Sequence, residues 1–538
     1  MSDDGFINVR VVMELHAGNG PVFNPGERVE LTTSTLWFYL LALVSWIVPA
    51  EISVTAVVLG WICAVAAFVF AALGAVRFAR ASGQADGFPL PAGLLVVAAI
   101  PVMWDFATSG LEPAITFAWL AICFWGLARR LPVPGVEGPK PEPRAAWDPL
   151  WLPIVIGLGY LVRPDAALYS VGFAVALLWQ SRRSWKGWVA AALLAVALPL
   201  AYQIFRMGYY GILVPNTALA KGAGNALWGL GGNYAWLFLN GFALWLPLLI
   251  GGLLLAYRLR HLIGQRNRAA IALVAGTVVP ALAHVVYVIR VGGDFMHGRF
   301  LLPPLFALML PIGVLFVNWA PARRWLAVSV AMLVLWAIYP VALYRPVIAL
   351  GHGVTDERLH YTTYVPSHET VHIADWQGHI FAVRGAEARR DLEAGRRYYR
   401  TEHNVFFPAA DGIRVAHAFP SIGVYSVVAG TDVIIVDTLG LADPIAARIP
   451  MPTQPEKIGH VERPEHWRVA RYAAPSAKDT DDDRAAREIM QCAPLRELTA
   501  AISAPMTPAR FGANLAASVR LTTLSIAPDV ATARAELC

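Results

Sequence analysis

The sequence predicts a polytopic α-helical membrane domain followed by an extracytoplasmic mixed α/β domain. Three observations support this prediction: 57% of the 538 residues are hydrophobic, only 15% are charged, and the long apolar runs stop near residue 344. A water-soluble domain of this size exposes more charge to solvent. We therefore place the transmembrane domain at 1–344 and the extracytoplasmic domain at 345–538.

Ten apolar runs are candidate membrane spans, because a helix needs roughly 20 apolar residues to cross a bilayer. They are 52–76, 88–104, 112–128, 150–163, 166–181, 187–205, 241–257, 269–289, 300–320 and 325–344. The further run 34–49 is interrupted by Pro49. We interpret it as a juxtamembrane helix within a first extracytoplasmic loop, 1–51.

Basic residues fix the predicted orientation. They cluster in the loops 77–80, 129–144, 182–186, 258–268 and 323–324. With ten spans these loops share one side, and the excess of Lys and Arg makes that side the cytoplasm. The alternate loops and everything after residue 345 then face the extracytoplasmic side of the plasma membrane. Topology also explains the net charge of +6, so nucleic acid is not a predicted partner.

The first candidate site is the pair Asp3 and Asp4 near the start of the chain. Adjacent carboxylates can supply a general base, a nucleophile or a metal ligand. The Gly, Asn and Pro residues of the segment 16–30 favour tight turns that fold this loop back on itself. The alternative is a solvated, non-functional chain terminus. Because neighbouring residues point in different directions, only one of the two carboxylates should face a substrate.

The second candidate site is the segment 290–299, which carries Arg290, Asp294, His297 and Arg299 with three glycines between them. Arginines beside glycines that permit close backbone approach suit an anionic ligand such as phosphate. The alternative is a structural pairing of the two arginines with Asp294.

Further polar residues lie at predicted outer ends of helices: Asp105, Glu112, Arg163 and Asp165. Single carboxylates at a helix N-terminus are also explained by the helix dipole, which is the alternative for Glu112 and Asp165.

The segment 206–221 holds Tyr209, Tyr210 and Lys221 and could stack on sugar rings. An aromatic belt at the membrane interface is the alternative. The sequence has no phosphate-binding Gly-rich loop, CxxC pair, GxSxG motif or His-rich metal spacing. No cofactor is therefore predicted, and a divalent metal is left open.

Six motifs occur in one order along the chain: HAGNGPVFNPGERVE (16–30), DFATSGLE (105–112), VRPDAAL (162–168), YQIFRMGYYGILVPNTALAK (202–221), GGDFMHGRFLLPPL (292–305) and DTLGLADP (437–444). Together with Asp3 and Asp4 they resemble the GT-C class of membrane glycosyltransferases. Within that class they are most similar to the terminal β-(1→2)-arabinofuranosyltransferases of the actinobacterial cell wall. The resemblance runs over nearly the whole chain.

The resemblance implies a substrate pair and a process. The donor would be decaprenyl-phosphoryl-arabinofuranose, and the acceptor an arabinan end in arabinogalactan or lipoarabinomannan during cell wall biogenesis. No nucleotide would be needed. If donor and product are both β-configured, the reaction retains configuration, and the sequence leaves a covalent intermediate and a front-face path both open.

The resemblance also implies roles for individual residues. The family's catalytic carboxylate lies in the first extracytoplasmic loop, just after a first transmembrane helix, and Asp3 and Asp4 match that position. No such helix precedes them in this sequence, so we expect one upstream. The cations that could surround the leaving phosphate are Arg163, Lys221, Arg290 and Arg299.

Two other functions stay open at this point. One is transfer of another polyprenyl-phosphate sugar, such as mannose or aminoarabinose. The other is a non-enzymatic membrane scaffold or motility-control protein.

The C-terminal region supports two structural predictions. The apolar run 432–437 is typical of a buried strand. Cys492 and Cys538 should form a disulfide, because both lie in the predicted outer domain where thiols are oxidised. Cys63 and Cys123 fall inside apolar spans and should stay free.

Overall fold

The structure is a computed structural model that describes residues 1–133, 150–181, 184–222, 224, 226–318, 324–452 and 455–538. Most of the basic loop 129–144 lies outside the described residues, as do Arg182, Arg183 and Arg323. The orientation predicted from the basic loops therefore stays a prediction.

Helices dominate the chain up to residue 343. In chain order they are α1 (Asp3–His16), α2 (Thr35–Ile47), α3 (Ile52–Ala81), α4 (Ala92–Ala98), α5 (Pro101–Ala107), α6 (Pro113–Ala128), α7 (Trp151–Gly157), α8 (Gly159–Val162), α9 (Ala167–Gln180), α10 (Trp185–Tyr210), α11 (Asn216–Ala220), α12 (Trp228–Gly241), α13 (Trp245–Gly264), α14 (Arg268–Arg290), α15 (Leu302–Met309) and α16 (Arg324–Ile338). In the described part of the chain, five helices are long and apolar enough to cross a membrane: α3, α10, α13, α14, and α16 with its π-helical continuation to Leu343. The chain is therefore a polytopic helical membrane protein.

Four of the ten predicted spans are not continuous helices, which corrects the count: 241–257 contains the turn between α12 and α13, and three others are interrupted further inside. The run 88–104 begins as strand β1 (Phe88–Leu90) and continues as α4 and α5. The break precedes Pro101, where Ile100 has an extended backbone (φ −86°, ψ 116°), the conformation that a following proline favours. The run 150–163 divides into α7 and α8, and 300–320 ends in strand β2 (Leu315–Val317), which pairs antiparallel with β1.

The run 34–49 forms the 13-residue helix α2, which is too short to cross a bilayer unaided. It begins after Ser34, ends two residues before Pro49, and leaves Trp46 and Ile47 exposed at its end. Trp37 is buried on its inner face and donates from Nε1 to the Gly110 carbonyl at 2.9 Å. This geometry suits the juxtamembrane helix that we expect there.

The C-terminal region is a mixed α/β structure. Its elements are β3 (Ala349–Gly351), β4 (Val354–Thr355), α17 (Glu357–Tyr364), α18 (Ile380–Glu393), β5 (Tyr398–Arg400), β6 (Phe406–Phe407), β7 (Val415–Phe419), α19 (Gly423–Ala429), β8 (Ile434–Asp437), α20 (Glu465–Tyr472), α21 (Asp481–Ile489), α22 (Ala493–Ser503), α23 (Pro508–Thr523) and α24 (Val530–Leu537). The main sheet has the order β6-β5-β7-β8; β5, β7 and β8 are parallel, and β6 is antiparallel at one edge. Ile435 and Val436 are fully buried in β8, which confirms a buried strand within the run 432–437 and places its start at Ile434.

The first 30 residues pack into this C-terminal region. Asn24 makes two hydrogen bonds to the backbone of Ile435, at 2.9 and 3.0 Å, along the edge of β8. Arg10 is fully buried, pairs with Glu14 at 2.7 Å, and donates to the carbonyls of Ser426 and Gly430. An unpaired guanidinium in such a place would be very costly, so these acceptors lock α1 against α19. The N-terminal loop is thereby held in a fixed position.

Loss of the disulfide is expected to destabilise the C-terminal helices. Cys492 and Cys538 are joined as predicted, with Cα atoms 5.3 Å apart and a sequence separation of 46. The cross-link restricts the unfolded chain by about 4 kcal/mol in the loop-entropy model. The double variant Cys492→Ser/Cys538→Ser should unfold at lower temperature than the wild type, whereas Cys63→Ser should not. An unchanged melting temperature in the double variant would contradict the prediction.

Candidate active site

A cavity of about 1260 Å³ that opens to solvent and is lined in part by charged residues lies beside the first turn of α1, and we call it the large cavity. Segments that are far apart in sequence form its wall: the loop before α2, the start of α6, the turn between α8 and α9, α11, and the segment 291–300. Its charged lining residues are Asp4, Glu112, Arg163, Asp165, Lys221 and Arg299. All six belong to the sequence-predicted set.

Glu112 holds two arginines at the cavity wall. It precedes α6, and its side chain is almost fully buried. Arg299 donates from Nη2 to both of its carboxylate oxygens at 3.1 Å, and Arg163 donates to Oε1. Both guanidinium groups also lie over the Phe300 ring: that of Arg163 is 4.6 Å from the ring centroid, and that of Arg299 is 5.4 Å from it. The two positive charges are thus fixed in direction before any ligand binds.

Asp165 completes the support of Arg163. Its carboxylate accepts from Arg163 Nε at 2.9 Å and from Nη2 at 2.7 Å, a bidentate pairing. The Nε2 atom of His284, on α14, lies 3.3 Å from Asp165 Oδ2, and the Nδ1 of the same ring lies 3.1 Å from the Tyr169 hydroxyl. The chain of contacts links the cavity to the helices that surround it.

Asp294 is a buried carboxylate between two cations. Its oxygens lie 3.5 Å from Arg299 Nη1 and 3.9 Å from Lys221 Nζ, and neither makes a hydrogen bond to the described residues. The preceding turn requires glycine: Gly293 has φ +80°, and a Cβ there would lie 2.4 Å from the Tyr234 ring. This tight turn at the end of α14 leads to Arg299 at the cavity wall and places Asp294 behind it.

Asp3 and Asp4 point to different places. Asp3 is buried, and its carboxylate accepts from the backbone N–H groups of Gly423 and Val424 at the start of α19, at 3.2 and 2.7 Å. Burial nevertheless raises the pKa of Asp3 to about 7, because desolvation outweighs these two hydrogen bonds. Asp3 therefore fixes α1 to α19, and its oxygens do not line the large cavity.

Asp4 faces the large cavity, and among the described residues it has no ion pair or side-chain hydrogen bond. Burial raises its pKa; the charges of Lys221 and Arg299 oppose that rise, and Asp294 adds to it. Asp4 is thus a carboxylate held near cations without being locked to one. Such a group can still accept a proton or stabilise a developing positive charge.

Comparison with known proteins identifies the family. A family model described as "AftB family C-terminal domain" matches residues 402–535. A terminal β-(1→2)-arabinofuranosyltransferase of Corynebacterium glutamicum is 34% identical over 563 residues, covering 96% of this chain and 81% of the relative. A protein of the same name from Mycobacterium tuberculosis is 31% identical over 592 residues, covering 97% of this chain and 91% of the relative. The chain belongs to the terminal β-(1→2)-arabinofuranosyltransferase family. No solved structure matches it.

Membership of this family confirms the resemblance found in the sequence and favours neither a scaffold role nor another sugar. The protein is a membrane-bound glycosyltransferase, which implies a sugar donor and an arabinan acceptor. Within the described ranges, no three His, Cys, Asp or Glu side chains are placed to hold a metal ion.

Like Asp3, the predicted site residues Arg290, Tyr209 and Tyr210 do not line the large cavity. Arg290 donates to the Gly224 carbonyl at 3.2 Å near the surface. Tyr210 is buried and donates to the Pro21 carbonyl at 2.8 Å, while Tyr209 stacks on Phe205 with ring centroids 5.0 Å apart. The two tyrosines pack the N-terminal loop against α10 and present no ring face to the cavity.

Two more predicted residues, Asp105 and His297, line a second cavity of about 500 Å³. His297 is buried with its ring stacked on Phe242 at 5.2 Å, and burial lowers its pKa to about 4, so it is neutral at pH 7. The Oδ1 atom of Asp105 lies 3.4 Å from the Nε atom of Arg358.

Sequence reasoning missed two residues of the C-terminal region, Lys457 and Glu357, whose charges interact with that of Asp4. Lys457 lies with its Nζ 4.7 Å from the centroid of the Phe295 ring, which also receives Lys221 at 5.7 Å. Glu357 begins α17 and lines the second cavity. Nothing in their local sequence distinguishes them from ordinary loop and helix charges, because only the packing of the C-terminal region on the segment 292–299 brings them to the site.

Proposed function

We propose that this enzyme transfers arabinofuranose from decaprenyl-phosphoryl-arabinofuranose to arabinan, forming terminal β-(1→2) linkages in arabinogalactan and lipoarabinomannan. The reaction would take place at the extracytoplasmic face of the plasma membrane. The names of the relatives support the linkage and the sugar. The single structural observation that carries the proposal is the unpaired Asp4 carboxylate in a cavity that also holds oriented cations.

The cations of the cavity suit the leaving phosphate. When the donor's C1–O bond breaks, the electron pair departs on the lipid phosphate, and negative charge grows on its oxygens. Arg163 and Arg299 are already oriented by Glu112, so they can stabilise this charge without reorganising. Lys221 adds a third positive charge, and its side chain keeps 23% exposure at the cavity.

The position of α14 supports entry of a lipid-linked donor from the bilayer. Tyr287 and Val291 line the cavity near the end of this helix, whereas Val279, Leu282 and Val286 leave more than half of their surface exposed. Exposed aliphatic side chains on a membrane-spanning helix face lipid. A polyprenyl chain can therefore lie along α14 while its phosphate reaches the cations of the cavity.

Asp4 is the proposed catalytic carboxylate. The acceptor hydroxyl oxygen forms a bond to C1 and loses its proton as the phosphate leaves. Asp4 can take that proton itself, or it can stabilise the oxocarbenium-like carbon while the departing phosphate oxygen takes the proton. It can also bond to C1 as the phosphate leaves, after which the acceptor oxygen displaces Asp4 from C1 and the proton passes to the released phosphate. A β-configured donor and a β-linked product require retention, which follows from double displacement through Asp4 or from attack of the acceptor on the face of the stabilised carbon that the phosphate leaves.

A reconstituted transfer assay tests the proposal. The full chain in liposomes receives labelled decaprenyl-phosphoryl-arabinofuranose and a synthetic arabinan acceptor, and the linkage of the product is determined by nuclear magnetic resonance. We expect one added β-(1→2)-arabinofuranose at the non-reducing end. Matched reactions with polyprenyl-phosphoryl mannose should give no product. Transfer of mannose at a comparable rate, or no arabinose transfer, would overturn the proposal.

Lys221→Met is expected to raise the KM for the donor roughly 10- to 100-fold, because a charge-assisted hydrogen bond to phosphate contributes about 1.5–3 kcal/mol. The KM for the acceptor should change little. Lys186→Met removes the same charge from an exposed position beside Trp185, at the start of α10, and serves as the control. Equal effects of the two variants on the donor KM would remove Lys221 from the phosphate site.

A further inference from the structure

We infer that one face of α17, formed by Glu357, His360, Tyr361 and Tyr364, binds the sugar rings of the acceptor and guides its end to Asp4. This inference rests on the proposed transfer to arabinan. The four residues stand at positions i, i+3, i+4 and i+7, a spacing that brings side chains onto a single face of a helix. The α17 face, as we name it, spans about 10 Å at 1.5 Å per residue.

The inner end of the α17 face meets the catalytic site. Glu357 lines the second cavity together with Met1 and Ser2, the residues that lead into Asp4. Burial, and then the charge of Asp4, raise the pKa of Glu357 to about 8. A carboxyl group that is largely protonated at pH 7 can both donate and accept hydrogen bonds, which suits a sugar hydroxyl.

Lys457 connects the inner and outer parts of this face. The positive charge of Lys457 opposes the rise in the pKa of both Glu357 and Asp4. The pKa of His360 is lowered first by burial and second by the same lysine. His360, one turn along α17 from Glu357, therefore lies close enough to the site to feel the same lysine. Because Glu357, His360, Tyr361 and Tyr364 follow one another at helical spacing on α17, the face runs from Glu357 to Tyr364 without interruption.

The outer end of the α17 face presents the Tyr364 ring to solvent, with a partly buried His360 and a buried Tyr361 beside it. The His360 ring lies 4.9 Å from the Tyr364 ring and 5.0 Å from Tyr361. Tyr361 is buried against Trp376 at 5.1 Å, which anchors the group. Tyr364 is 57% exposed, so much of its ring is free to make contact. A buried Tyr361 that supports the partly buried His360 and the exposed Tyr364 makes a rigid platform.

An uncharged sugar chain is the occupant that this chemistry fits. Aromatic faces with a neutral acid at the inner end offer C–H contacts and hydrogen bonds, the two interactions that a polyhydroxylated chain makes. The guanidinium groups suited to phosphate come from Arg163 and Arg299, which line the large cavity and not the α17 face. Donor and acceptor would thus reach Asp4 from different sides.

The test compares acceptor chains of different length with Tyr364 variants in the liposome assay. Tyr364→Ala should raise the KM for a long arabinan acceptor about 3- to 10-fold, while kcat and the donor KM stay unchanged. With the shortest acceptor that the wild type uses, the variant should equal the wild type, because such a chain ends before Tyr364. An unchanged acceptor KM for the long chain would overturn the inference.

Two matched variants separate sugar stacking from contact with lipid. Tyr364→Phe keeps the ring and should behave as the wild type, whereas Tyr364→Leu keeps apolar area without a ring and should behave as Tyr364→Ala. Normal acceptor KM in the Leu variant would assign the side chain to lipid and overturn the inference. Phe406→Ala removes an exposed ring on β6, outside the α17 face, and should change nothing.

The assay distinguishes failure of the inference from failure of the proposed function. If the wild type transfers arabinose and Tyr364→Ala has a normal acceptor KM, only the role of the α17 face is lost. If the wild type transfers none, both fall together.

Discussion

Replacing Asp4 with Asn is expected to reduce transfer by about 10²-fold or more, the range for losing a positioned acid or base. The substitution preserves shape and removes only the charge. Because Asp4 makes no ion pair among the described residues, no partner is left exposed, and the melting temperature should not fall. Turnover is measured with lipid-linked arabinose and a short arabinan, alongside donor binding, which should persist.

Asp3 provides the neighbouring control. Its carboxylate satisfies two buried backbone N–H groups of α19, so Asp3→Ala should lower the free energy of unfolding by about 1–3 kcal/mol. The two positions thus separate a chemical effect from a structural one. Near-normal transfer by Asp4→Asn would remove Asp4 from the chemistry and refute the central assignment.

The same carboxylate sets a pH dependence. Burial raises the pKa of Asp4 above the ordinary value of about 3.9, so the charged form appears only at higher pH. If the ionised form is required, kcat/KM falls as the pH is lowered through that raised pKa. We therefore expect the acidic limb of the profile above pH 4. An acidic limb centred near pH 4 would show that the required carboxylate has an ordinary, solvated pKa and is not the buried Asp4.

The sequence predicted much of the cavity because its charged residues lie where predicted outer loops meet helix ends. Charge at membrane depth is costly, so Glu112, Arg163 and Arg299 had to face a polar space or each other. The structure shows that they do both at once. The local pattern could not distinguish these two outcomes, because the pairing joins residues 187 positions apart.

Other predictions failed where tertiary packing decides direction. Tyr209 and Tyr210 have the composition of a sugar platform, yet they pack the loop 16–30 against α10. Hydropathy likewise overlooked the break before Pro101, because apolar composition does not report helical continuity. The contact between Asn24 and Ile435 spans 411 positions, so a boundary read from composition could not reveal that the first loop packs with the C-terminal sheet.

Glu112→Gln is the second variant for which a large effect is expected. The carboxylate lies between Arg163 and Arg299, and both guanidinium groups are nearly buried. Removing its charge leaves two buried cations without their shared counter-ion, a loss that costs about 3–5 kcal/mol for comparable buried pairs. Asp165 still pairs with Arg163 and Asp294 still lies beside Arg299, so the chain should still fold.

The displaced arginines should also weaken binding of the donor, so Glu112→Gln should affect both stability and the donor KM. We expect a lower melting temperature together with a higher donor KM, because the cations no longer point into the cavity. Glu497→Gln breaks a solvent-exposed pair with Arg520 and should change stability by at most about 1 kcal/mol. If Glu112→Gln matched this control in stability and kept a normal donor KM, Glu112 would not be what orients Arg163 and Arg299. The phosphate would then have to be bound mainly by Lys221, whose own variant tests that outcome directly.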